Sequence, residues 1–363
     1  MPALTKSPGW RFGVLCIFGT ALLAATGLAE LKISPSAALS PEQSSSEISP
    51  GNQRLFEFHS GFWINLHHFL YQQALERRDK SNKDSGVSVS KEDDQTIALT
   101  PDESRLWSEA IDYYTAHMIN RDLLRDEEMT VINNALSGAG NNATLASSGL
   151  NPDLKTALEN ASKAYRAHWW PKHDLANRTW VAAVIPLIER YGEGISEKLS
   201  AVYHTPWPKT AIPTDVTVYA TFAGAYTSLG PTHITLSSAS AGNQGEAALE
   251  VVFHEASHSF VRPVFEALSQ EARTQNKILP RRDLWHAVLF YTTGEVVRQR
   301  LKAYVPYAEK NGLWTRAWPM YYELLKKDWQ PYLDGSTTME AAVRNLIRDV
   351  GVPATQNRTL QGQ

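Results

Sequence analysis

Residues 254–258 read His254-Glu255-Ala256-Ser257-His258. On a helix, side chains four apart lie one turn apart on the same face, so His254 and His258 can hold one metal ion from neighbouring turns. Glu255 is turned from His254 by about 100°. A carboxylate there does not readily ligate the same ion, but it reaches a water bound to it. Two neutral imidazoles, an open coordination position and a base beside the water are what metal-activated hydrolysis needs.

The pattern also arises by accident, so its surroundings have to agree with it. Leu249, Val252, Phe253, Ala256 and Phe260 make an apolar stripe of helical period. Glu250, Val251, His254 and His258 make the opposite stripe. A helix over residues 245–260 then buries one face and turns its histidines toward a cleft. Gly242-Asn243-Gln244-Gly245 breaks the chain before it, and Glu246 supplies an acid in its first turn.

Elements must hold this helix. Upstream, residues 215–227 carry Val216, Val218, Tyr219, Thr221, Phe222 and Tyr226, with the alternation and β-branching of strands. Thr232-His233-Ile234-Thr235-Leu236-Ser237 is a further short strand just before the helix. A small sheet packed on the helix follows. If that last strand is at the sheet edge, its free backbone groups can pair with an extended peptide.

The first half is mostly helical. Residues 54–78 are dense in apolar residues at helical spacing. Adjacent His67 and His68 point in different directions there and read as core or cleft-lining residues, as does His59. Pro101-Asp102-Glu103 and Asn151-Pro152-Asp153 open further helices. A helix over 174–191 carries Pro186, with another over 192–203. His168, His173 and His204 lack ligand spacing. Residues 79–100 read as a polar insertion and 353–363 as a frayed tail.

The chain has 363 residues, 43% hydrophobic and 20% charged, long enough for one large domain or two modest ones. A net charge of −3 offers no surface for nucleic acid. Lys6 and Arg11 precede an uncharged apolar run over 12–29 ending in Gly27-Leu28-Ala29, the pattern of a cleaved export signal, with an uncleaved anchor as the competing reading. The single cysteine, Cys16, lies inside it, so the mature chain relies on its core, a metal or both.

A catalytic zinc usually takes three protein ligands. His286 and Glu295 are the candidates for the third, on a helix that Asp283 can cap. Nine residues apart, they face nearly opposite ways on a straight helix, so one ligates unless Thr292-Thr293-Gly294 breaks it. With His254-Glu255-Ala256-Ser257-His258 and Gly294-Glu295 on a later helix, the chain resembles the gluzincin group of zinc metallopeptidases over roughly residues 215–300. The resemblance implies Glu295 as third ligand. His286 is then a group behind the ligands or an oxyanion donor, a role open also to Tyr304 and Tyr307. Nothing resembles the longer third-histidine motif of metzincins, since positions 261 and 264 are both valine.

The expectation is thus an α+β, mostly helical protein. Residues 1–29 are a signal peptide and 30–52 a disordered linker. A helical region over 53–205 precedes a zincin-like metallopeptidase region over 206–363, possible parts of one continuous domain. It is expected to be a secreted or periplasmic zinc (Zn2+) peptidase acting on peptides or proteins, with His254, His258 and Glu295 on the metal and Glu255 as general base. The alternatives are a zincin-like binding protein without hydrolysis and a helical structural protein with a fortuitous motif.

Overall fold

Phe56-Glu57-Phe58-His59 alternates with period two and stops at Gly61. In the computed structural model, which describes residues 54–81, 98–279 and 283–353, this stretch is a strand, β1 (Phe56–His59), and the helix α1 (Phe62–Ser81) starts only after it. The helix expected over 54–78 is corrected accordingly. The export signal, the linker, most of the polar insertion and the tail beyond Pro353 lie outside the described residues.

Three capped helices complete a first core with α1. Thr100 and Glu103 form a reciprocal capping box at the start of α2 (Pro101–His117). Asp126 caps α3 (Glu127–Ala139) and Asn151 caps α4 (Pro152–His168). Phe62, Leu66, Phe69, Trp107, Tyr114, Leu136, Leu158 and Tyr165 are buried among them.

The next helix, α5 (Trp170–Val202), runs unbroken through Pro186 and through Gly192 and Gly194, where the sequence predicts two helices. Its 33 residues span about 50 Å. Gly192 is required by a close approach: a Cβ there would lie 2.9 Å from Leu55 Cδ1 and 3.5 Å from Phe253 Cζ. The glycine thus lets α5 press against the helix that carries the histidines.

The strands β2 (Ile212–Thr217), β3 (Ala225–Ser228) and β4 (His233–Ser237) follow. With β1 they form one sheet in the order β1-β2-β4-β3, parallel except for the antiparallel β3–β4 pair. The strand before the histidine helix, β4, is therefore interior. The antiparallel edge strand is β3, and all four of its residues are buried. One sheet face, with Val216, Ala225, Ile234 and Leu236, joins the second core. Tyr226 on the other face joins the first.

The second core holds α5, α6 (Glu246–Ser257), α7 (Arg262–Thr274) and α8 (Leu284–Arg300). Short turns follow: α9 (Tyr307–Lys310), α10 (Leu313–Arg316), α11 (Tyr322–Leu324), a π-helical turn over Leu325–Trp329, and α12 (Gln330–Leu333). An amphipathic helix, α13 (Met339–Val350), closes it. The two-residue strands β5 (Lys277–Ile278) and β6 (Val352–Pro353) pair antiparallel. The chain is α+β and mostly helical, with no helix among the described residues long and apolar enough to cross a membrane.

Polar side chains lock the cores together where the sheet meets α5. Asn65 donates to Gly61 O and Val216 O and accepts from Val218 N and Asn177 Nδ2. Asn243, in the loop before α6, donates to Gly224 O and Ser237 O, while its own carbonyl accepts from Trp180 Nε1. The fully paired amide of Asn65 and the two bonds donated by Asn243 fix one arrangement, because any shift strands a desolvated polar group.

Candidate metal centre

The stripe Leu249, Val252, Phe253, Ala256 and Phe260 is buried in the second core, as the helical period requires. The opposite stripe is buried as well: Glu250, Val251 and His254 are covered by α8. His258 caps α6 but keeps right-handed helical dihedrals, so it stays in phase one turn beyond His254. The two rings are 5.1 Å apart.

The third imidazole comes from α8. His286 lies 5.4 Å from His254 and 5.2 Å from His258 between ring centroids, so the three rings form a nearly equilateral triangle. One nitrogen from each lies within 4.8 Å of the others, and this is the metal-capable group found among the described residues. His254 Nδ1 and His286 Nε2 are buried without a hydrogen-bond partner. Burial holds His258 down to about 4, and holds His254 and His286 well below the usual histidine value, with neighbouring imidazoles adding to both. Three neutral, converging rings, two of them with an unpaired buried nitrogen, fit a transition dication such as zinc.

Glu295 is not brought to this cluster. Helix α8 is unbroken, so its two sides stay opposed. His286 beside His254 and Gly294 beside Glu250 show that α8 runs antiparallel to α6. A Cβ on Gly294 would lie 2.8 Å from Pro306 Cβ and 3.2 Å from Glu250 Oε1. The glycine marks the face pressed on α6, and Glu295, the next residue, is turned away. It is buried against Arg298, one turn on, with its carboxyl raised by desolvation and then lowered in part by that guanidinium. The side chains brought together are thus His254, His258 and His286, and Glu295, expected as the third ligand, lies outside the group.

Aromatic rings enclose the trio. Phe290 lies 3.8 Å from His254, Trp285 stacks on His286 at 5.1 Å, and Trp318 meets His286 edge-on at 5.6 Å. Asp283 makes no side-chain cap on α8. Its Oδ2 instead accepts from Trp318 Nε1, which fixes that ring over His286. Burying Phe290 contributes about 2–3 kcal/mol while drying the site.

Glu255 is buried beside the rings, its Oε2 4.0 Å from His258 Nε2. Burial pushes its carboxyl up to about 7, against the lowering effect of Thr227, whose Oγ1 is 2.7 Å from Oε2. Glu250, one turn before His254, is also raised to about 7 by burial. Its Oε2 accepts from Tyr304 Oη at 2.7 Å and from Tyr307 N at 2.8 Å. It thereby anchors the loop whose Tyr307 ring stacks on Phe290.

Sequence reasoning missed Thr227, Glu250 and Phe290. Thr227 is one residue from Tyr226 on an alternating strand, so one of the two had to face α6. Phe290 follows His286 by one helical turn, so it lies on the same side of α8. Other histidines pair away from the trio: His168 with Glu103, His173 with Tyr165, His204 with Tyr332 and His233 with Asp215. No known protein family matches the chain, and no curated protein or solved structure does either.

Proposed function

We propose that this is an exported metal-dependent hydrolase, most simply a zinc peptidase with a zincin-like catalytic region. His254, His258 and His286 hold the ion and Glu255 is the general base. The observation that carries it is the convergence of three neutral imidazoles, two of them buried with an unpaired nitrogen, with a carboxyl beside them. A zinc ion bound there supplies positive charge that polarises a carbonyl and acidifies a water. Glu255 is poised at about 7, where a carboxyl both takes and returns a proton near neutrality. The enclosing aromatic rings exclude bulk water and strengthen every charge interaction inside. The proposed ligand set departs from the gluzincin one, whose third ligand is a glutamate. The resemblance is thereby reduced to His254-Glu255-Ala256-Ser257-His258. The substrates are peptides or proteins outside the cytoplasm, in the periplasm or beyond the cell.

The test is metal analysis of the gently purified chain, followed by incubation with a mixed peptide library read by mass spectrometry. About one zinc per chain and new peptide termini are expected. Glu255→Gln is expected to keep the zinc and to lose cleavage by on the order of 10²–10⁴-fold. Undiminished cleavage by that variant removes Glu255 from the mechanism, and a chain that takes up no metal overturns the whole reading.

A further inference from the structure

Thr227 reaches from β3 to a residue 28 positions away on α6. Its Oγ1 is 2.8 Å from the backbone oxygen of Glu255 and 2.7 Å from Oε2 of the same residue. The hydroxyl has one proton and so donates to one of these two acceptors at a time, the side-chain oxygen being the one whose position is free to change. The hydroxyl cannot drift, because β3 is held on both sides. Thr227 pairs with Ile234 in the ladder to β4. Its neighbour Tyr226 points the other way, where its hydroxyl accepts from Asn133 Nδ2 and meets His68 Nε2, each at 2.9 Å.

The position in which Glu255 is fastened matters for what it does. Oε2 lies 4.0 Å from His258 Nε2, and Glu255 is not part of the metal-capable group. Two donor atoms on one tetrahedral zinc sit about 3.4 Å apart, given bonds near 2.1 Å. Glu255 lies outside the group whose donor atoms are all within 4.8 Å of one another, so a carboxylate released from Thr227 has to swing toward the trio to become a fourth ligand, a place otherwise open to water.

The geometry points to Thr227 as a positioning residue that keeps Glu255 out of the coordination sphere, so that the carboxylate serves as base and not as ligand. This rests on the metal-site reading above. It assigns to a side chain of the edge strand the choice between an open and a closed metal site.

Thr227→Val keeps the shape and removes the hydroxyl, whereas Thr227→Ser keeps the hydroxyl. Zinc affinity by chelator competition and the visible absorption of the Co2+-loaded full chain are measured for both. Thr227→Val is expected to bind zinc about tenfold more tightly, a change of the size typical for residues that support ligands. Its cobalt band should shift, because a carboxylate oxygen replaces water in a site that stays four-coordinate. Adding Glu255→Gln to Thr227→Val should restore both wild-type readings, and Thr227→Ser should not differ from wild type. Thr227→Ala makes the same test should valine fail to fold. Unchanged or weaker zinc binding with an unaltered cobalt spectrum in these variants overturns the role of Thr227 alone. A wild-type chain that binds neither metal overturns the site reading beneath it.

Discussion

His67 and His68 on α1 are both buried, whereas of the pair His254 and His258 on α6 the first is buried and the second, at the helix end, half-buried. Burial lowers the affinity of all four for a proton. The pairs differ in spacing and in partners. The adjacent rings of His67 and His68 turn to different neighbours: His67 Nδ1 meets Tyr114 Oη at 2.7 Å and His68 Nε2 meets Tyr226 Oη at 2.9 Å. His68 Nδ1 must carry its proton, because its partner at 2.8 Å is the carbonyl of Ile64. Nε2 then accepts from Tyr226, which fixes the tautomer. The rings on α6 meet edge-on one turn apart, His254 Nδ1 finds no partner, and a third ring joins them. Buried imidazoles given hydroxyls become part of a core, whereas buried imidazoles left unpaired and aimed together become a receptor for a cation.

Mutations break this comparison with graded effects. His286→Ala should weaken zinc binding by more than about 100-fold, since it removes one of three ligands. His67→Ala should leave the metal stoichiometry at the wild-type value and lower only stability, so equilibrium dialysis of both variants separates the two regions. If His286→Ala binds zinc as wild type does, the trio is not the site.

The acid limb of stability sharpens the contrast further. His68 binds its proton near 6.5 when unfolded and only at about 4 in the fold. Above 6.5 neither state carries it. Between 6.5 and about 4 only the unfolded chain does, so stability falls as pH falls through that window. The full shift corresponds to about 3 kcal/mol. His67 and the trio act in the same sense. Glu250, raised from 4.5 to about 7, acts in the opposite one, contributing stability that is lost as pH rises through that range. Glu255, also raised to about 7, acts with Glu250, so denaturant titrations of the double variant Glu250→Gln/Glu255→Gln between pH 4 and 7 expose the histidine limb, and stability that stays flat or climbs toward pH 4 would count against buried neutral rings.

Smaller effects are expected at the partners. Tyr226→Phe leaves His68 Nε2 and Asn133 Nδ2 without their shared hydroxyl and should cost about 1–3 kcal/mol, read by urea denaturation, with zinc content unchanged. Glu295→Gln removes one ion pair with a half-exposed arginine and should leave zinc affinity within about twofold of wild type.

Much of this was legible before any coordinates. The stripe from Leu249 to Phe260 specified the helix and its buried face, and the texture around Val216 and Ile234 specified strands. The choice between His286 and Glu295 was not legible, because a straight helix offers both sides and its periodicity does not name the side that meets α6. Gly294 held the missing information: it is small because α8 presses there on Glu250, which turns Glu295 outward. Gly192 misled in the same way. It reads as a helix break, but it serves a close approach between packed helices. Phe56 and Phe58 were absorbed into a helical count although their alternation with Glu57 fits a strand, and only pairing with β2 decides between the two.

The most direct measurement is a crystal structure of the full chain grown with zinc, with anomalous scattering at the zinc edge. The expected result is one ion bonded to nitrogens of His254, His258 and His286 at about 2.0–2.1 Å, with Glu255 still on Thr227 and Glu295 still on Arg298. An ion ligated by Glu295, or no anomalous peak among the three rings, contradicts the account.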